Sequence, residues 1–152
     1  MADFLLIHGS GHGAWCFRDL IPAIEAAGHT ARAIDLPGHG DNPHPLADIT
    51  LDLYRDAIIE AINTPVTLVG HSMGGYPISA VAEAAPHLVT RLVYLCAYFP
   101  IGQMSLVDRR KEAPRQPLMS AVIRTEDGIG FDVDPAQAPD IFYQDCTEEQ
   151  VA

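Results

Sequence analysis

The sequence predicts an α/β fold, a mostly parallel sheet with helices on both faces. Three observations carry that expectation. Short apolar runs recur at residues 4–7, 66–69 and 92–95, helically spaced apolar residues lie between them, and the links are short and often glycine-rich. Apolar runs of this length suit strands buried on both faces, as in parallel sheets. Strands alternating with helices through short links call for right-handed crossovers.

Residues 4–7 are the first strand and end in His8-Gly9-Ser10-Gly11-His12-Gly13. Phe17, Leu20, Ile21 and Ile24 then follow helical spacing, and Gly28 is the expected C-cap. Residues 30–34 form a second strand, closed by Asp35-Leu36-Pro37-Gly38-His39-Gly40. Thr50 is placed to cap a helix carrying Leu51, Tyr54, Ile58 and Ile62 on one face. The third strand, 66–69, meets Gly70-His71-Ser72-Met73-Gly74-Gly75, and a helix over 76–85 stops before Pro86. The fourth strand covers 92–95.

Beyond Pro100 the texture changes. Prolines recur at 114, 117, 135 and 139, cations cluster at Arg109-Arg110-Lys111, and no strand–helix rhythm is visible. Thr147 followed by Glu148, Glu149 and Gln150 resembles a capping box, so a helix is expected to start there.

Composition narrows the function classes. With 48% hydrophobic and 19% charged residues among 152, one soluble globular domain is the expectation. A formal charge of -11 repels phosphate backbones and anionic lipid, which argues against nucleic acid and membrane surfaces as partners. The apolar run at the N-terminus lacks a basic flank and is too short for a signal peptide or a span, so residence in the cytoplasm is expected. Cys16, Cys96 and Cys146 are far apart and odd in number, which suggests free thiols rather than a zinc site or a disulfide framework.

The chemistry concentrates at Gly70-x-Ser72-x-Gly74, which lies between a predicted strand and a predicted helix. A strand-to-helix turn this sharp forces the serine into a strained backbone conformation, and glycines on either side relieve the crowding. The serine then stands above the strand's end, with backbone N–H groups of the following helix aimed at developing negative charge. A chain of this length holds such a pattern by chance roughly one time in twenty. The strand–helix context and a third glycine, Gly75, make chance a poor explanation. A rival from another class is Gly9-x-Gly11-x-x-Ala14 with Asp35 about 20 residues on, which also fits a dinucleotide-binding fingerprint. That reading makes this an NAD(P)-binding reductase fragment, and it leaves the Ser72 turn without a purpose. A non-catalytic ligand-binding protein is a third class.

His8-Gly9-Ser10-Gly11-His12-Gly13-Ala14-Trp15, the Asp35 to Gly40 loop and the Ser72 turn together resemble the α/β-hydrolase superfamily. The opening motif resembles the branch of plant methyl-ester esterases and hydroxynitrile lyases. The resemblance implies an α/β-hydrolase core over residues 1–99 and the start of a cap or lid over 100–152. It implies Ser72 as the nucleophile, with the backbone N–H groups of Ser10 and Met73 as the oxyanion hole. Hydroxynitrile lyases of the branch typically carry threonine at the place of Gly9 and an acid at that of His71, so an esterase is favoured over a carbon–carbon lyase. The implied substrate is a small-molecule ester, hydrolysed through an acyl-enzyme without metal or organic cofactor.

In this fold the chain order is nucleophile, acid, histidine. After Ser72 the only histidine is His87, beside Pro86, which reads as a loop histidine. The triad histidine and acid are therefore expected to be absent from this chain, which reads as an N-terminal half. Alone it is expected to turn over little substrate, and its partner would be a second copy or a complementing C-terminal half.

Overall fold

A computed structural model describes residues 1–151. The chain forms two compact units, Met1–Arg109 and a second beginning at Arg110.

The first unit is built on four parallel strands, β1 (Asp3–Ile7), β2 (Thr30–Ile34), β3 (Val66–His71) and β4 (Val89–Leu95), in the order β2-β1-β3-β4. Helices α1 (Leu20–Ala26), α2 (Leu51–Glu60) and α3 (Gly75–Ala84) connect them. Alternate side chains of the central strands serve opposite faces, which is why these segments read as apolar runs. Leu5 and Ile7 of β1 join Val66 and Leu68 of β3 against Tyr54 and Ile58 of α2 and Ile78 and Val81 of α3. Leu6 and Val69 point the other way, toward Phe17, Ile21 and Ile24.

The predicted caps form. Thr50 accepts the Leu53 N–H at 3.1 Å. Gly28 takes φ +85°, and the His29 N–H reaches back to the Ile24 carbonyl at 3.3 Å, closing the C-terminus of α1 in a Schellman pattern. One boundary differs. Phe17 belongs to a separate 3-10 turn, Ala14–Phe17, and α1 starts at Leu20. Helical spacing continues across the break because both segments pack the same apolar face, and periodicity alone does not register it.

The strand order reverses beside β1. From β1 the chain moves outward to β2, then returns to place β3 on the other side of β1. Loops leaving the C-terminal ends of β1 and β3 therefore diverge, and such a switch point opens a crevice where α/β sheets bind ligands. These two loops are the glycine-rich stretch and the Ser72 turn.

The second unit holds small elements, of which the sequence announced only the last helix. Strands β5 (Val122–Arg124) and β6 (Phe131–Val133) pair antiparallel. Short helices follow at α5 (Ala138–Phe142) and α6 (Glu148–Val151), and a further one, α4 (Leu106–Lys111), contains the division between units. The capping box is present at α6: the Thr147 N–H donates to Gln150 Oε1 at 3.0 Å, and Thr147 Oγ1 accepts the Gln150 N–H at 3.4 Å.

Candidate active site

Ser72 follows β3 and opens a 3-10 turn, Ser72–Gly74, that runs directly into α3. Its φ is +52°, in the left-handed region that a residue with a side chain avoids. Holding it there costs on the order of 1–3 kcal/mol, which the surroundings must supply. They supply it by close packing. A Cβ on Gly70 would lie 2.5 Å from the Gly74 carbonyl oxygen, and one on Gly74 would lie 2.6 Å from the Ile7 carbonyl oxygen. A Cβ on Gly75 would run into the Tyr98 carbonyl. The Tyr98 N–H in turn donates to the Ser72 carbonyl at 3.0 Å.

The glycine-rich loop presses on this turn. A Cβ on Gly9 would lie 2.8 Å from Ser72 Cβ and 3.3 Å from His71 Nδ1. The structure thus puts the loop carrying Ser10 against Ser72, with Met73 next in the 3-10 turn.

Two side chains outside the glycines hold that loop, and both connect it to the end of β2. His8 is fully buried and accepts the Leu36 N–H at Nε2, 3.1 Å away. Nδ1 therefore carries the proton and donates to the Gly9 carbonyl at 2.8 Å. Burial, which disfavours the imidazolium, brings the His8 pKa down to about 4. At the other end of the loop Asp35 Oδ1 accepts the Ala14 N–H at 2.6 Å, and Oδ2 accepts the Asp41 N–H at 3.0 Å. Partial burial opposes the charge on Asp35, but these two donors outweigh it and hold the carboxyl below its ordinary range. The dinucleotide reading fails here. Its ribose-binding acid is already occupied by backbone, and side chains added at Gly13 or Gly40 would collide with it.

The other histidines divide by position. His12 is buried beside the loop, stacked on Trp15 with centroids 5.3 Å apart, and edge-on to His71 at 6.2 Å. Burial first, then the neighbouring His12 charge, lowers the His71 pKa. His87 lies in the 3-10 turn that precedes β4, whereas Ser72 follows β3 at the C-terminal end of the parallel sheet. At about 3.3 Å per strand residue, the whole sheet separates them. His87 is exposed there, as its loop reading required. Cys16 is made less acidic by burial, its pKa rising to about 11, so its thiol is a packing group rather than a nucleophile.

Sequence reading names Ser72 and Met73, which share the 3-10 turn, and Ser10, whose loop packs against that turn. It did not find His8 and Asp35 as loop anchors, because their partners, Leu36 and Ala14, are distant in sequence and no local pattern marks them.

Among the described residues no group of His, Cys, Asp and Glu is arranged to hold a metal ion, and no helix is long and apolar enough to cross a membrane.

A four-stranded parallel sheet with a strained serine at its switch point defines a hydrolase-type α/β protein. The chain belongs to the alpha/beta hydrolase family, whose model matches residues 4–150. It is 29% identical to Esterase PIR7B of Oryza sativa subsp. japonica over 98% of this chain and 62% of that protein. It is 38% identical to an alpha-hydroxynitrile lyase of Arabidopsis thaliana over 64% of this chain and 40% of that protein. Among solved structures, polyneuridine aldehyde esterase superposes with a TM-score of 0.81 at 26% identity, covering 99% of this chain and 65% of that one. The chain thus spans about three-fifths of the length of the rice esterase. The match is to an esterase-type family.

Proposed function

We propose that Ser72 is the nucleophile of a carboxylesterase that takes a small ester through an acyl-enzyme. Ser72 Oγ attacks the ester carbonyl, its proton passes to a base, and the N–H groups of Ser10 and Met73 receive the oxyanion. Collapse expels the alcohol, and water then releases the acid. The observation that carries this reading is the φ of +52° at Ser72, a strain maintained by backbone packing on three sides.

The base and its orienting acid lie, in this proposal, outside this chain, in the part of the relatives' length that the chain does not span. The chain alone then turns over little ester. The edge strand β4 pairs only with β3 among the described residues and leaves Leu95 exposed. That edge suits a strand from a complementing C-terminal half or a second copy. The lyase alternative, which the Arabidopsis relative's name raises, is disfavoured by Gly9 and His71.

The test is mass spectrometry after treatment with a fluorophosphonate, for this chain alone and with a C-terminal half from an esterase relative. A single adduct at Ser72 that appears or accelerates with the complementing half, and disappears in Ser72→Ala, is the expected result. Labelling at another residue, or labelling unchanged in Ser72→Ala, overturns it.

A further inference from the structure

We propose that His8 is the positioning residue of the Ser10 oxyanion donor, an inference that rests on the esterase reading above. The Ser10 N–H and the Gly9 carbonyl belong to one peptide. In a planar trans peptide the two point in opposite directions, so a group that fixes the carbonyl fixes the N–H as well. His8 Nδ1 donates to that carbonyl at 2.8 Å. The His12 backbone N–H adds a longer bond to it, at 3.4 Å. Gly9 itself lies against the nucleophile, since a Cβ there would be 2.8 Å from Ser72 Cβ.

The ring that makes the shorter bond is held from its other side. Nε2 accepts the Leu36 N–H at 3.1 Å, just past the end of β2, and both residues are fully buried. A ring turned over about its Cβ–Cγ bond would lose both bonds at once. Leu36 thus gives the Ser10 donor a fixed reference in the sheet.

The second donor is held in a matching way. The Met73 N–H shares its peptide with the Ser72 carbonyl, which accepts the Tyr98 N–H at 3.0 Å, and Tyr98 follows β4. In the order β2-β1-β3-β4, each inner strand therefore leads into a loop that carries one donor. The segment just past the neighbouring outer strand aims that donor, directly from Tyr98 and through the His8 ring from Leu36. Both bonds also polarise their peptides, which strengthens each N–H as a donor. An oxyanion donor works only if it is aimed before charge develops. His8 touches no reacting atom and acts through the Gly9–Ser10 peptide.

Phenylboronic acid tests this without requiring turnover. Ser72 Oγ adds to boron, the hydroxyl proton passes to buffer, and the anionic tetrahedral boron presents an oxygen to the Ser10 and Met73 N–H groups. Its equilibrium affinity is measured for this chain, Ser72→Ala, His8→Asn and His8→Gln, beside each melting temperature. Asparagine keeps an amide donor where Nδ1 stood and loses the acceptor for Leu36. Glutamine keeps an acceptor near Nε2 and loses the donor, so each variant gives up one buried hydrogen bond. The expected result is binding weakened about tenfold or more in His8→Gln, the scale of an impaired oxyanion donor. His8→Asn should stay within about threefold of the unaltered chain, at a melting temperature similar to that of His8→Gln. Equal affinity in the two variants, whether kept or lost, or a larger loss in His8→Asn, overturns the inference and leaves the esterase reading intact. A nitrogen NMR measurement on the unaltered chain covers a variant that fails to fold. The His8 ring should show Nδ1 protonated and Nε2 bare, and the Nδ1 proton should shift together with the Ser10 amide proton as the boronate binds. The reverse tautomer, or a His8 proton that stays still, overturns the inference. If the unaltered chain binds no better than Ser72→Ala, the nucleophile reading falls, and this inference with it.

Discussion

The two units of this chain hold themselves together by different means. In Met1–Arg109 the strands and helices pack a core on each face of the sheet, with fully buried Leu5, Ile7, Ile58, Leu68 and Ile78 on one side and Leu6 on the other. In the unit that starts at Arg110, the only buried hydrophobic residue described is Ala121, and Ile123, Ile129 and Phe131 are about half exposed. Its order comes from local hydrogen bonds. Thr125 Oγ1 donates to Asp127 Oδ1 at 2.6 Å and accepts the Gly130 N–H at 2.9 Å, and the Ala136 N–H reaches Asp134 at 2.9 Å. A core binds residues that are far apart in sequence, whereas turn bonds fix only their neighbours. The contrast explains why a strained serine resides in the first unit. Only dense, long-range packing can hold φ at +52°.

The largest expected effect breaks this contrast directly. Ile78→Ala removes a fully buried side chain between α3 and the sheet, and should cost about 2–5 kcal/mol in denaturant unfolding. Ile123→Ala, at 51% exposure in β5, should stay within about 0.5 kcal/mol. Comparable losses at the two positions would mean that the second unit has a core of its own.

A pH series sharpens the comparison by isolating a buried group of the first unit. The His8 pKa is depressed from 6.5 to about 4, so the native state keeps it neutral where the unfolded chain takes up a proton. Its contribution is full above the unfolded value of 6.5 and is lost as pH falls toward 4. About 3 kcal/mol is at stake, with His71 acting in the same direction. The contribution of Asp35 is full above its unfolded value of 3.8 and is lost only at lower pH, as pH falls through its depressed folded value. The measurement is unfolding free energy between pH 7 and pH 4, followed by tryptophan fluorescence from Trp15. A flat profile, or one that rises toward acid, would contradict the buried neutral His8.

The smallest effect compares two caps of similar chemistry. Thr50→Ala removes a side-chain acceptor from a ten-residue helix that packs on the core, and should cost about 1 kcal/mol. Thr147→Ala removes one from the short helix α6 (Glu148–Val151), with no buried residue, and should fall below about 0.5 kcal/mol. Equal losses in thermal melts would show that caps act independently of what their helices bury.

Much of the first unit was legible because its physics is local and periodic. Strands buried on both faces are apolar almost throughout, so 4–7 and 66–69 declared themselves, while 92–95 carries an apolar run although its strand lies half-buried at the sheet edge. The glycines around Ser72 are legible for a related reason: a Cβ at 70, 74 or 75 meets backbone, so the turn leaves its mark on the sequence itself. The start of α1 was misread because a 3-10 turn and a helix can share one apolar face. The β5–β6 pair went unread because three-residue strands with exposed side chains leave no alternation to detect.

What the sequence alone determined is the set of parts: the strands, their capped helices, the serine turn and the glycine loop, all encoded in residue spacing. What only the tertiary structure decided is how the parts meet. Strand order β2-β1-β3-β4 puts the loops after β1 and β3 at one switch point. His8 and Asp35 became anchors because the fold brought Leu36 and Ala14 to them. Hydrogen bonds of this kind depend on distances in space, and for His8 and Asp35 those distances join residues on different strands and loops, which no local pattern in the chain can specify.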